Sequence, residues 1–340
     1  MPRLRLATFN VENLLMRCDF SKAGIDGARA KLTQVEDQAT AEKIAGVFNV
    51  LSEDDRTLTA QALAATRADV CAVQEVENLV TLANFNKTYL GRWCPKPFEH
   101  VALKEGNDGR GIDVGVLANT ALPRVRSHAE TTFRDLGLTP PPGQTPHDRA
   151  FRRDCLEVDI VKEGQVLTLF IVHFKSMHGG RDATRPVRDA EARAVRALIE
   201  QRFPEPESAD WVILGDFNDY LELDGKPDKS HGLGALFDDG FSVDAAMNLV
   251  RSAEDRWSHY YSPLRQYSAL DHIVLSPRLA DQNRNARLSF VRAGVPWRVE
   301  RHKGFRLPGI GWTNPKASDH CPLVLELTYE GAEFEEGRSA

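Results

Sequence analysis

No stretch of the 340-residue chain approaches the ~20 consecutive apolar residues that a membrane-spanning helix needs, which excludes a helical membrane protein. Cysteine is scarce: Cys18, Cys71, Cys94, Cys155 and Cys321 include no Cys-x-x-Cys pair. That argues against a thiolate metal centre and a disulfide framework, and predicts buried free thiols. Positive charge is not in excess either. Lys and Arg total 43 against 49 Asp and Glu, a net charge of -6. Counterion release by Lys and Arg drives non-specific nucleic-acid binding, so the acidic balance weakens that expectation. A local basic groove can still coexist with net negative charge. No charged-then-apolar leader precedes the first strand, so the cytoplasm is the expected compartment, with export left open. Neither a membrane nor an obligate protein partner is expected.

What is present is typical of a globular domain, with 42% apolar and 27% charged residues. Apolar residues at 3/4 spacing predict helices over Val35–Leu51, Leu58–Thr66 and Leu79–Leu90. The clearest helix is Arg185–Phe203, where Val187, Ala190, Ala194 and Leu198 form one stripe and Pro204 ends it. Leu156, Val158 and Ile160 alternate with Glu157 and Asp159, the pattern of a half-exposed strand. Val166–Val172 is continuously apolar and reads as its buried partner.

Polar clusters stand at the ends of the strand-like runs. Asp216 and Asn218 follow Trp211–Leu214 and the turn at Gly215. In extended geometry their spacing points both side chains the same way. A proton acceptor beside an amide donor suits activation of a water and support of an oxyanion. The same pair is also ordinary turn chemistry. Asn10 follows Leu4–Thr8, Glu75 follows Val70–Val73, and His173 follows Val172. Asp271-His272 precedes Ile273–Leu275, and Ser318-Asp319-His320 precedes Pro322–Leu327. If the last two strands run antiparallel to the first four, all six clusters meet at one rim of a mixed sheet. Asn10, Glu75, Asp216, Asn218 and Asp319 form an oxygen-only donor set, which prefers Mg2+ or Mn2+ over zinc.

Six motifs in this order carry a resemblance: Phe9-Asn10-Val11-Glu12-Asn13-Leu14, Gln74-Glu75, Val172-His173, Gly215-Asp216-Phe217-Asn218, Leu270-Asp271-His272 and Ser318-Asp319-His320. From Leu4 to about Leu327 the chain resembles the endonuclease/exonuclease/phosphatase superfamily, with His173-Phe174-Lys175-Ser176 most like bacterial nuclease-type members. The resemblance implies a deoxyribonuclease-I-like α+β sandwich of four layers, two packed mixed β-sheets flanked by helices. It favours one domain over residues 1–330, with 331–340 expected to be a disordered acidic tail.

The resemblance also implies roles. Glu75 would be the main metal carboxylate, assisted by Asn10 and Asp319, with Mg2+ or Mn2+ as cofactor. Asp216 would orient or deprotonate the attacking water, and Asn218 would hold a non-bridging oxygen. His320, charged and positioned by Asp271, and His173 would contact the phosphate. Two departures set the chain apart from abasic-site repair enzymes. Glu12 stands where many have aspartate, and Asp219-Tyr220-Leu221 replaces their Asn-containing segment.

The expected activity is metal-dependent hydrolysis of phosphodiesters, with nucleic acid as substrate. The alternatives are a phosphatase or phosphodiesterase on a small or lipid-linked phosphate and, from a different class, a catalytically inactive binding module. Lys175, Arg181 and Arg185, just beyond His173, are candidates to line a groove for flanking phosphates. Arg110 is a further candidate, and Asp113 is one that could orient His173.

Overall fold

The computed structural model describes residues 1–15, 35–40, 54–223 and 225–334. Two six-stranded mixed sheets form its centre. The first has the order β15 (Arg287–Phe290), β16 (Leu323–Thr328), β1 (Arg3–Leu14), β2 (Val70–Val76), β4 (Asp113–Ala118), β3 (His100–Leu103). The second runs β11 (Val243–Asp244), β14 (Asp271–Leu275), β8 (Trp211–Asp216), β7 (Gln165–His173), β6 (Cys155–Lys162), β5 (Ala121–Ser127). Two small hairpins accompany them, β9 (Glu222–Leu223) with β10 (Lys226–Pro227), and β12 (His259–Tyr261) with β13 (Gln266–Ser268).

Alternation with period two sorts the apolar side chains into layers. Val70 and Ala72 of β2 face Leu167, Leu169 and Ile171 of β7 and Val212 and Leu214 of β8 in the core between the sheets. Cys71 and Val73 point the other way, onto α1 (Asp54–Thr66) and α2 (Leu79–Asn84). On the far side, Phe170, Val172, Trp211 and Ile213 pack under Ala190, Ala194, Val195 and Leu198 of α3 (Arg181–Arg202). The result is the expected four-layer sandwich of two mixed sheets between helices. Each fully buried Val, Leu or Ile contributes roughly 1.5–3 kcal/mol of transfer free energy. Cys71, Cys155 and Cys321 are buried free thiols and Cys94 is partly buried; Cys18 lies outside the described residues.

Three expectations change. The polar clusters converge at one end, but on the rims of two sheets rather than one: β1 is parallel to β2 and β7 to β8, while β16 and β14 return antiparallel. The strand holding Glu157 and Asp159 is buried, not half-exposed. Arg124 lies 2.9 Å from Glu157 as an ion pair, Arg202 lies 3.3 Å from Asp159, and His128 and Thr168 take further carboxylate oxygens. These partners are distant in sequence, so alternation alone could not separate a covered face from a wet one. The tail does not fray at Gly331. Val166 donates to Ala332 O and Phe334 to Gly164 O, and a Cβ on Gly331 would meet Val166 O at 1.6 Å. Only the part beyond Phe334 lies outside the described residues. The predicted helix over Val35–Leu51 also falls largely outside them, whereas Leu79–Leu90 is present as α2 continued by a π turn and a 3-10 turn.

The clearest helix starts four residues early, at Arg181, because its first turn is held by side chains. Arg188, fully buried, donates to Arg181 O at 2.7 Å and to Asp219 Oδ2 at 2.9 Å. Asp219 also receives Arg181 at 2.7 Å and Gly232 N at 2.9 Å. Burial works against the charged carboxyl, yet these donors hold its pKa below the usual carboxylate range. Removing one partner of a buried pair leaves an uncompensated charge, so Arg188→Met should cost about 3–5 kcal/mol. Because Asp219 has a depressed folded pKa, its contribution is present above the unfolded value of about 4 and is lost as pH falls through the folded one. Urea denaturation at neutral pH and at pH 3 checks both points. A loss under about 1 kcal/mol at neutral pH would show that Asp219 is held well enough without Arg188.

Candidate active site

Bulges and glycine geometry build the rim. The β1–β2 register shifts after Asn10, and the β2–β4 register shifts between Gln74 and Val76. Glu12, Asn13 and Glu75 therefore have φ of 51°, 57° and 66°, and Asn218 has φ of 50°. Such left-handed non-glycine residues are costly, and bulges re-aim side chains beside functional sites. Gly215 has φ of 145°, and a Cβ there would meet Val172 O at 1.9 Å. Only glycine lets β7 and β8 close up where His173 pairs with Asp216.

Asp216 is the centre. Its Oδ2 accepts Asn10 Nδ2 at 2.9 Å and lies 3.5 Å from His173 Nε2. Its Oδ1 accepts the Asn218 backbone N–H at 2.8 Å. Asp271 stands directly opposite it in the β8–β14 register. His320 bonds Asp271 Oδ2 through Nδ1 at 2.6 Å and brings Nε2 to 3.9 Å from Asp216. Burial pushes the Asp216 carboxyl up to about 7, with Asp271 adding to the rise and His320 opposing it. For His320, burial favours the neutral ring. The Asp271, Asp216 and Asp319 carboxylates outweigh it and hold the pKa well above the ordinary value. His173 goes the other way: burial, with Arg153 and the cationic His320 nearby, keeps it neutral.

Glu75 sits at the mouth, accepting Asn13 N at 3.0 Å and Asn10 Nδ2 at 3.4 Å. Asp319 is tied to β1 through its N–H, which donates to Glu12 Oε2 at 2.8 Å, and Lys316 meets Glu12 Oε1 at 2.5 Å. Burial opposes ionisation of Asp319, but His320, His259 and Lys316 hold its pKa down. The rim thus brings together Asn10, Glu75, His173, Asp216, Asn218, Asp271, Asp319 and His320. Among the described residues, two trios are close enough to share a cation, His259–Asp319–His320 and Asp216–Asp271–His320. Glu75 and Asp319 present carboxylate oxygens at the mouth, while Asn10 Oδ1 accepts the Glu12 N–H at 3.0 Å.

Other expectations are corrected here. Asp113 does not orient His173: its Oδ1 accepts Gly106 N at 2.8 Å, and His173 Nδ1 has no hydrogen-bond partner. Burial and the neighbouring Glu105 push the Asp113 carboxyl up to about 8. Arg181 is not open to phosphate, because it bridges Asp219 and Asp228 and lies over the Tyr220 ring. Lys175 turns to Ser176, and Arg185 to Ser230 O. Arg110 pairs with Asp108 but stays exposed, and the Asp108 and Glu75 carboxylates raise its pKa. Asn218 directs Nδ2 to Phe174 O at 3.0 Å, leaving one N–H and the amide oxygen. His272 is structural, bound to Asp244 and to Asp219 O.

Sequence reasoning missed three residues. His259 packs against His320, with ring centroids 4.7 Å apart and the planes tilted by 46°. Arg153, buried, donates to Phe174 O. Lys316 is the third. None carries a local signal; only the order of the motifs around Asp319 could have drawn attention to Lys316.

A profile of the endonuclease/exonuclease/phosphatase family matches residues 5–295. The chain belongs to that family. Its name joins nucleases and phosphatases, which share hydrolysis of phosphoric esters. No curated protein matches the sequence. Among solved structures, a truncated TDP2 from Caenorhabditis elegans is similar at 12% identity and TM-score 0.52, covering 96% of this chain and 98% of that one. A mannosyl-6-phosphatase from Bacteroides thetaiotaomicron is similar at 16% identity and TM-score 0.54, covering 96% and 100%. D. rerio TDP2 complexed with a single-strand DNA product matches at 15% identity and TM-score 0.50, covering 96% and 99%. At such identities the likeness is one of fold.

The Asp271–His320 contact generates a test. Asp271→Asn keeps the size and a hydrogen bond but removes the charge that favours imidazolium. His320 has a raised pKa, so the alkaline limb of the pH–rate profile should move to lower pH. Turnover should fall by about 10–1000-fold, and His320→Ala should cost at least as much. The double variant should be little worse than the worse single, since the pair acts as a unit. Losses that multiply would show that the two residues act independently.

Proposed function

We propose that the chain is a divalent-metal-dependent phosphoric ester hydrolase that cleaves phosphodiesters of nucleic acid. The observation that carries this reading is Asp216: a buried carboxyl poised near neutrality, ringed by Asn10, His173 and His320, beside an oxygen-donor mouth. Asp216 takes the proton of an attacking water or orients it, since a base with pKa near the working pH combines both demands. His320, cationic through Asp271, faces a phosphate oxygen through Nε2. Asn218 offers its remaining N–H, and neutral His173 offers a hydrogen bond.

Glu75, Asn10 and Asp319 are the residues that would hold the metal, and their hard oxygen atoms suit Mg2+ or Mn2+. When bound, that cation neutralises the ester and the leaving oxygen. The DNA product bound by D. rerio TDP2 supports nucleic acid as substrate. The mannosyl-6-phosphatase and the net charge of -6 favour the second reading, a small or lipid-linked phosphate. An inactive binding module on this fold would have no use for the Asp216–His320–Asp271 chain.

Hydrolysis should vanish in EDTA and return with Mg2+ or Mn2+. Glu75→Ala should weaken metal binding, read by calorimetry, by on the order of 10–100-fold or more, with turnover falling alongside. Full activity after dialysis against EDTA would overturn the metal reading. A panel of plasmid, single-stranded DNA, RNA, an inositol phosphate and bis(p-nitrophenyl) phosphate separates the substrate classes.

A further inference from the structure

Between β15 and β16 the chain makes an excursion, Val291 to Lys316, that the catalytic reading leaves unexplained. It carries six Lys or Arg residues and a single acid, Glu300, in a chain of net charge -6. Several buried or half-buried cations elsewhere are committed to carboxylates, as Arg181, Arg188 and Arg256 are. Here Arg298, Arg301, Lys303 and Arg306 pair with no carboxylate among the described residues; Arg301 and Lys303 are exposed, whereas Arg306 is buried and donates to Val299 O at 2.8 Å.

Large rings stand between these cations. Trp297, Phe305 and Trp312 are 51%, 71% and 64% exposed. Their exposure is not looseness, because the excursion is held by its own backbone. Trp297 N bonds Gly311 O and Arg298 N bonds Trp312 O, both at 3.0 Å, so the two tryptophans come from adjacent segments. Val295 and Val299 are buried beneath them with Trp257 and Tyr260. Arg306 lies 4.4 Å over the Trp297 ring, and Arg301 lies 4.1 Å over Tyr267.

The platform adjoins the catalytic rim at two points. Its last residue, Lys316, pairs with Glu12 beside Asp319. Its Arg301 N–H donates to the Tyr267 hydroxyl, and Tyr267 belongs to the β12–β13 hairpin whose His259 packs against His320.

We propose that the Val291–Lys316 excursion is a binding platform for single-stranded nucleic acid, with unpaired bases stacking on Trp297, Phe305 and Trp312 and phosphates meeting the exposed Arg301 and Lys303. As the means of holding the substrate it rests on the phosphoesterase reading. Rigid rings open to solvent and interleaved with cations match what single strands require: π-faces for every base and charge along the backbone. A duplex hides its base faces and offers those rings nothing. A lipid surface would favour apolar tips grouped apart from the charges, whereas here Trp297-Arg298 and Phe305-Arg306 alternate along the chain.

The test uses the full chain in EDTA, so that binding is read without cleavage. Fluorescence anisotropy compares a labelled oligothymidylate with a duplex of the same length, and sedimentation tests vesicles of phosphatidylcholine and phosphatidylserine. The single strand should bind tighter than the duplex. Phe305→Ala and Trp312→Ala should each weaken it about tenfold. Arg301→Glu with Lys303→Glu should reduce the slope of log K against log salt by roughly 1.4. With metal restored, all these variants should hydrolyse bis(p-nitrophenyl) phosphate like the parent, which shows that they are folded. Unchanged oligonucleotide affinity in the variants, equal affinity for the duplex, or capture by vesicles in place of the oligonucleotide would overturn the platform. Loss of metal-dependent diester hydrolysis in the parent, with single-strand binding intact, would instead overturn the hydrolase reading and leave the platform standing.

Discussion

Two carboxylates directly opposite one another at the buried end of a sheet are the constraint on which this molecule depends. Asp216 and Asp271 share a register position on neighbouring strands, where like charges repel and water cannot screen them. The imidazole of His320, reached from the other sheet, lies between them. Asn10, also from the other sheet, bonds Asp216 as well. The polar end of the sandwich is therefore held by the same contacts that arrange the chemistry. A change that frees one of these groups strands a charge as well as disturbing the site.

That coupling explains the geometry around it. For His320 and Asn10 to reach Asp216, the two sheets must present their strand ends at one level. The bulges in β1 and β2 and the close approach at Gly215 produce that alignment. Left-handed φ values at Glu12, Asn13, Glu75 and Asn218 are the local cost, and each is offset by a hydrogen bond into the rim or a neighbouring main-chain group. Asp219, one residue past Asn218, then locks the loop to α3 through Arg188 and Arg181.

Much of this was legible from the amino-acid order. Continuous apolar runs at Val70–Val73, Val166–Val172 and Trp211–Leu214 marked the buried strands, and polar groups at strand ends placed Asn10, Glu75, His173, Asp216, Asp271 and Asp319-His320. Partnership across the chain was not legible. Arg181 reads as a free cation until Asp219 and Asp228 are seen around it, 38 and 47 residues away. Glu157 and Asp159 read as wet until Arg124 and Arg202 cover them. His259 carries no pattern of its own and gains meaning only from its packing against His320. Periodicity reports which face a residue occupies; it is silent on what occupies the space opposite.

Net charge has the same blind spot. A value of -6 argues against a polyanionic partner only if cations and anions are spread alike over the surface. They are not: Arg153, Arg181, Arg188 and Arg256 neutralise acids inside the fold or at its loops. Within Val291–Lys316, Arg298, Arg301, Lys303 and Arg306 pair with no carboxylate among the described residues and stand among exposed rings, while Lys316 pairs with Glu12. Fields near a surface fall off within about 8–10 Å at physiological salt, so a ligand at that excursion meets the local charge rather than the sum. The quantity that bears on substrate is thus the local unpaired charge where a ligand would lie, and at the exposed Arg301 and Lys303 its sign is positive.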